Sequence, residues 1–223
     1  MLFKNKAAAI FDLDGTLIPI SSAERTFFFH LIKHGGLNFF DIVRMMGAVW
    51  SAGGNFHRMI LHNKRYLRRK TPQYFEEIAQ KYFEPRIPDM VFPNMKITIE
   101  RHRARNELLL LLSGTLDVIA DCFVRELGFD GGRAAILEKK DGRYTGRLQG
   151  ILPYGVGKLE VLREFGNKYG VDQNRTTLYA NIYSDRYVMN SVEDPVAVNP
   201  DKKLKRYAEK RGWRVIDPKV DTP

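Results

Sequence analysis

The chain has one cysteine, Cys122, in 223 residues, so it can close no internal disulfide. That cysteine lies in an apolar stretch and reads as a small buried hydrophobe rather than a reactive thiol. Nothing in it implies an oxidising compartment. Long apolar runs are also missing. Ala7 to Phe11 and Leu108 to Leu112 are five residues each, too short to span a bilayer or to form a signal peptide, which predicts a cytoplasmic protein. There is no internal repeat, no low-complexity segment and no recognised nucleic-acid motif. What remains is ordinary globular composition, 44% hydrophobic and 28% charged, enough for a core without staples.

Acidic charge is in deficit: the formal net charge is +10. Between His57 and Arg105 there are twelve Lys/Arg and five Asp/Glu, and between Asp201 and Arg214 seven and two. Such stretches attract anions, from a phosphorylated substrate to nucleic acid or an acidic lipid surface. A solvated basic face is the plainer reading, and nucleic acid is not expected as a partner. Oligomeric state is not legible.

Lys6 to Phe11 reads as a short buried strand ending at Asp12, with Gly15 allowing a sharp turn. From about Ser21 to Lys81 apolar residues recur at helical spacing: Phe28, Leu31 and Ile32, then Ile42, Met45, Met46 and Val49. Thr71 reads as an N-cap with Pro72 at the first helical position. Pro85, Pro88 and Pro93 mark a break. Beyond it, Leu108 to Leu112 reads as a second strand ending at Ser113-Gly114-Thr115. Ala134 to Glu138 and Tyr144 to Leu148 flank Asp141-Gly142 as a hairpin. Leu159 to Tyr169 reads as a helix stopped by Gly170, and Thr176 to Ala180, Val196 to Val198 and Val215 to Ile216 as strands. Alternating strands and helices predict an α/β fold, a parallel sheet with helices on both faces. Its ligands should bind at the carboxyl ends of the strands, where Asp12, Ser113 and Asn181 fall. The helical block would be an inserted cap. The expected division is a core of 1–17 and 93–223 and a helical cap of 18–92.

Residues 11–16 read FDLDGT. Two carboxylates two residues apart at a strand end can share one reaction centre, one attacking phosphorus and the other exchanging a proton with the leaving oxygen. A calcium loop would need a glutamate at its twelfth position, where Ala23 stands.

This motif resembles the first motif of the haloacid dehalogenase superfamily. LLLLLSGT resembles the second and YGVGKLEVL the third. The hairpin with DGRYTG and the tail VAVNPDKKLKRYAEKRGWRVID resemble the phosphoserine-phosphatase-like branch. The resemblance implies a magnesium-dependent phosphomonoesterase acting through an aspartyl-phosphate. Asp12 would be the nucleophile and Asp14 the acid and base. Ser113, Gly114 and Lys158 would bind the phosphoryl group, with Lys158 also screening charge. Mg2+ would be held by Asp12, the Asp14 carbonyl and Asn181, backed by Asp185. The sequence departs from the family in the fourth motif, LYANIYSDRYVM: Asn181 stands where an aspartate belongs, and Tyr183 is bulkier than expected. Weaker metal binding and slow turnover follow, because Mg2+ favours charged oxygen.

In the phosphoserine phosphatases an acidic cap residue nine positions past the nucleophile reads the substrate amine. Ser21 holds that position here, with Glu24 and Arg25 nearby but out of register, so phosphoserine is not the expected substrate. Glu24 and Arg58 are the cap candidates for substrate contact. Phe27, Phe28, Phe29, Phe39, Phe40, Met45, Met46, Trp50 and Phe56 read as the cap's own core, with peripheral membrane contact as the lesser reading. Two alternatives to hydrolysis of a small phosphate ester stay open: a phosphotransferase, and a phosphate-ligand-binding protein that has lost turnover.

Overall fold

The computed structural model describes residues 5–51 and 64–220. Arg58 and Phe56, both singled out above, lie outside the described residues. Seven strands form one sheet in the order β4-β3-β2-β1-β5-β6-β7. They are β1 (Lys6–Phe11), β2 (Leu108–Leu116), β3 (Gly131–Lys140), β4 (Arg143–Gln149), β5 (Val171–Ala180), β6 (Asp194–Val198) and β7 (Arg214–Ile216). All neighbours are parallel except β3 and β4, the expected hairpin. Its turn is Asp141-Gly142, both with positive φ, which matches a two-residue turn to the strand twist.

Nine helices occur among the described residues: α1 (Ala23–Lys33), α2 (Phe39–Ser51), α3 (Pro72–Phe83), α4 (Ile87–Met90), α5 (Pro93–Ala104), α6 (Asp117–Glu126), α7 (Gly157–Tyr169), α8 (Arg186–Met189) and α9 (Lys202–Arg211). None of them is long and apolar enough to cross a membrane. The expected helix ends hold. Gly170 closes α7 in the left-handed conformation, and Thr71 precedes α3 in an extended conformation, though its hydroxyl makes no capping bond. Pro93 is not a break but the first-turn proline of α5, whose missing N–H costs a helix nothing there.

The alternation of β1 sorts the helices. Ala9 and Phe11 point to one face and share a core with residues of α1, α3, α5 and α6. Ala8 and Ile10 point to the other and pack with residues of α7, α8 and α9. Phe11 stacks on Tyr179 at 4.7 Å between ring centroids, and the Tyr179 hydroxyl meets His102 Nε2 at 2.8 Å, tying α5 to β5. Cys122 is fully buried, and burial pushes its thiol up to about 12, so it is the inert hydrophobe expected.

The aromatic-rich segment expected to be a cap departs from expectation. Phe27 and Phe28 are buried, but Phe29, Phe39, Phe40, Met46 and Trp50 are exposed, so much of that apolar set is not core. The 64–70 segment is fastened to the hairpin by backbone: Arg69 N–H donates to the Tyr144 carbonyl and Tyr144 N–H to the Lys70 carbonyl. Gly146 makes this approach feasible. Its φ is +84°, and a Cβ there would lie 2.9 Å from Arg65 Cα and 3.2 Å from the Lys64 carbonyl oxygen. Gly146→Ala should therefore destabilise the protein by about 1–3 kcal/mol in urea unfolding. An unchanged midpoint would show that the hairpin and the 64–70 segment are not closely packed.

Candidate active site

Register brings the polar motifs to one rim. Phe11 lies opposite Leu111 on one side and Tyr179 on the other, so Asp12, Ser113 and Asn181 emerge at nearly one level. They line a cavity of about 620 Å3 with Asp14, Lys158 and Tyr154. Asp12 is anchored through its backbone, its N–H donating to the Tyr179 carbonyl at 2.9 Å.

Lys158 sits in the first turn of α7 and is 3% exposed. Its Nζ is 3.1 Å from Asp12 Oδ1 and 3.0 Å from Asp185 Oδ1. Burial alone would favour the neutral amine, yet the two carboxylates outweigh it and raise the Lys158 pKa. Asp185, fully buried at the end of a 3₁₀ turn (Tyr183–Asp185), is pushed above the usual carboxylate range by burial, with Lys158 opposing.

Asp14 sits on the tight turn made possible by Gly15, at φ +76°. Its Oδ1 accepts from the Ala23 N–H at 2.7 Å, which links the turn to the first residue of α1. Burial pushes Asp14 up to about 7, against the pull of that N–H, with Asp12 and Glu24 adding to it. A carboxyl that titrates there can both give and take a proton near neutrality.

Ser113 and Gly114 do not end β2, as expected, but lie within it. The strand runs on to Leu116, and its pairing with β3 shifts register between Leu112 and Leu116. Such an irregularity re-aims side chains at a site. Ser113 is buried, and its Oγ accepts from the Thr115 N–H at 3.2 Å. It does not cap α6, whose N-cap is Leu116.

Asn181 fits tightly over the turn: a Cβ on Gly15 would lie 2.1 Å from Asn181 Nδ2. Its Oδ1 is buried with no hydrogen-bond partner. An orphaned amide oxygen on a cavity that Asp12 and Asp14 also line suits a hard cation such as Mg2+, so the donor set fits, although it carries one charge fewer than an aspartate would give. It includes an amide and a backbone carbonyl. Among the described residues no cluster of three or more His, Cys, Asp or Glu is placed to hold a metal. Tyr183 also lines the cavity, and its bulk is packed between Arg186, which lies over its ring at 4.2 Å, and Tyr207, which meets its edge.

Glu24 reaches the cavity wall, but its carboxylate is already engaged. Lys64 Nζ contacts both oxygens at 2.5 and 2.6 Å, and the Tyr66 hydroxyl donates to Oε1 at 2.9 Å. All three side chains are buried. Lys64 and Tyr66 went unread in the sequence because nothing local marks a partner forty residues from Glu24. Asp201, also missed, caps α9 and accepts from the Tyr183 N–H, fixing the loop after β5. Its place before a lysine-rich helix was the available signal.

Residues 9–190 match the haloacid dehalogenase-like hydrolase family. The chain is 28% identical over 222 residues to Phosphoserine phosphatase SerB1 of Mycobacterium tuberculosis, covering 95% of this chain and 70% of that protein. It is 27% identical over 226 residues to Histidinol-phosphatase of Neisseria meningitidis, covering 95% and 99%. A solved structure of a protein of unknown function from Bordetella pertussis superposes with a TM-score of 0.82 at 22% identity, over 96% of this chain and all of that one. The strand-end site and the family match agree: this chain belongs to the haloacid dehalogenase-like hydrolases.

Two measurements test the electrostatics. Lys64→Met strands the Glu24 charge and should cost about 3–5 kcal/mol in urea unfolding, with Lys64→Met/Glu24→Gln recovering part of it. A cost under about 1 kcal/mol would mean that Glu24 is hydrated rather than buried. For Asp14, the folded protein keeps its proton up to about pH 7, whereas the ordinary value is 3.8. The folded state thus binds more protons in that interval, and its stability falls as pH rises through it. In chelator-treated protein, Asp14→Asn should remove this slope and raise Tm relative to the parent more at pH 8 than at pH 5. Parallel pH profiles would contradict the shift.

Proposed function

We propose that this hydrolase is a phosphomonoesterase that passes the phosphoryl group of a small organic phosphate to Asp12 and then to water. The observation that carries the reading is Lys158, a buried ammonium touching Asp12 and Asp185 beneath a cavity that also holds the half-buried, neutral-titrating Asp14. Two relatives are named for phosphatase activity on different phosphate esters, which supports the class of substrate and leaves its organic part open.

Lys158 lowers the repulsion between the Asp12 carboxylate and the incoming phosphate. An Asp12 oxygen forms a bond to phosphorus as the ester P–O bond breaks. The departing oxygen takes the proton of Asp14. Asp14, now a carboxylate, removes a proton from water as the water oxygen attacks phosphorus. The bond between Asp12 and phosphorus breaks, orthophosphate leaves and Asp14 is protonated again. Ser113 and the N–H groups beside Gly114 would hold the phosphoryl oxygens. Mg2+, when bound by Asp12, the Asp14 carbonyl and Asn181 with Asp185 behind, supplies positive charge against the phosphoryl oxygens.

In this reading 18–92 forms the cap and 1–17 with 93–223 the core, and the protein works in the cytoplasm. Glu24 braces the cap rather than greeting a substrate amine, because its charge is matched by Lys64. Together with Ser21 at the position expected for an amine reader, this argues against phosphoserine.

A magnesium-dependent phosphatase assay over a panel of phosphate esters tests the proposal. Asp12→Asn should lower kcat on the order of a thousandfold or more. Asn181→Asp should reach half-maximal rate at about tenfold less Mg2+, since it adds a charged ligand. Phosphate binding with no turnover in the parent or in Asn181→Asp would instead support a binding protein that has lost catalysis.

A further inference from the structure

The exposed apolar residues of α2 form a stripe. Phe39, Val43, Met46 and Trp50 recur at i, i+4, i+7 and i+11, which places them on one side of the helix. They are 73%, 46%, 64% and 87% exposed, and Phe40 beside them is 67% exposed. The opposite side is held down: Asp41 is buried, accepts from the Asn38 N–H and pairs with Lys70 at 2.9 Å, and Met45 packs against the core. The stripe is thus the outward face of a fixed helix.

A basic groove of about 1000 Å3 adjoins it. Arg44, Arg68 and Arg69 line its cap side, and Lys140, Arg143 and Arg147 its hairpin side, against only Glu138 and Asp141 among the acidic residues there. Arg44 belongs to α2 itself, and Phe40 borders a smaller hollow shared with Arg44, Arg68 and Arg69, so stripe and groove meet. The two sides of the groove are stitched by the Arg69–Tyr144 and Tyr144–Lys70 backbone bonds and by Arg143 Nη1 donating to the Arg69 carbonyl. The surface is therefore preformed. None of these residues belongs to the catalytic cavity.

We infer that the α2 stripe and the arginine groove together form a docking surface for an anionic lipid bilayer. Aromatic and methionine side chains on a helix flanked by arginines match the two terms of interfacial binding, shallow apolar burial and attraction to acidic headgroups. A nucleic acid would use the groove and leave the stripe bare. A second copy packed symmetrically stripe to stripe would bring two arginine-rich grooves together, and like charge opposes that. The stripe argues against nucleic acid and the groove's charge against a second copy, which leaves the bilayer.

Vesicle flotation of the full chain tests this, with phosphatidylcholine alone or mixed with phosphatidylglycerol. The protein should float with the mixed vesicles at low salt, weaken as salt rises and ignore phosphatidylcholine alone. In Trp213→Phe, which leaves Trp50 as the sole tryptophan, emission should shift to the blue on the mixed vesicles. Phe39→Asp/Trp50→Asp and, separately, Arg68→Glu/Arg147→Glu should each lower vesicle affinity by about tenfold or more with Tm unchanged. Failure to float, equal binding to phosphatidylcholine alone, or affinity surviving either double substitution overturns the inference. So does a dimer that Trp50→Asp converts to a monomer without vesicle affinity, or displacement of the protein from vesicles by equimolar single-stranded RNA.

Discussion

A buried ammonium held between two carboxylates sets the terms for the rest of this structure. Lys158 is almost inaccessible to water, and an isolated lysine in such a place would lose its proton. It stays charged because Asp12 comes from the end of β1 and Asp185 from the turn after β5, each about 3 Å away. Three desolvated charges tolerate little displacement. The parallel pairing of β1 with β5, the packing of α7 under both and the Asp201 cap that fixes the intervening loop all serve that geometry. In the proposed reaction the same ammonium that keeps the carboxylates together is the group an incoming phosphate meets.

The second constraint is how the first turn of the site is joined to α1. Asp14 is bonded to the N-terminus of α1, and the next residue of that helix, Glu24, is clamped by Lys64 and Tyr66. That helix is thereby tied to the Asp14 turn at one end and to the hairpin-bound 64–70 segment at the other. Asp14 owes its raised affinity for a proton to burial, which the Ala23 N–H opposes. Asn181 enters the same small space over Gly15, whose missing side chain makes room for it.

Much of this was legible in the sequence because each motif is local and sits at a strand end. Asp12, Ser113 and Asn181 follow runs of apolar residues, Lys158 opens a helix after glycine, and Asp141-Gly142 marks a hairpin; the structure brings the first four to one cavity. What was not legible depends on distance or on a shared signal. The Glu24–Lys64 pair spans forty residues, and nothing near either predicts the other. Prolines at 88 and 93 signal both chain breaks and helix starts, and here they start α4 and α5. Ser113-Gly114-Thr115 looks like a strand end but continues as an irregular strand. The apolar spacing of α2 resembles that of a buried helix, and only the fold reveals that Phe39, Met46 and Trp50 face outward.

The most direct measurement is to find the phosphoryl group on the protein. In Asp14→Asn, with 4-nitrophenyl phosphate as a substrate whose leaving group needs no proton, the first transfer should proceed and the second should stall for want of a base. Acid quenching followed by peptide mass analysis should then show one phosphoryl group on the peptide containing Asp12. Turnover of that ester with no adduct, or an adduct on a different residue, would contradict the account.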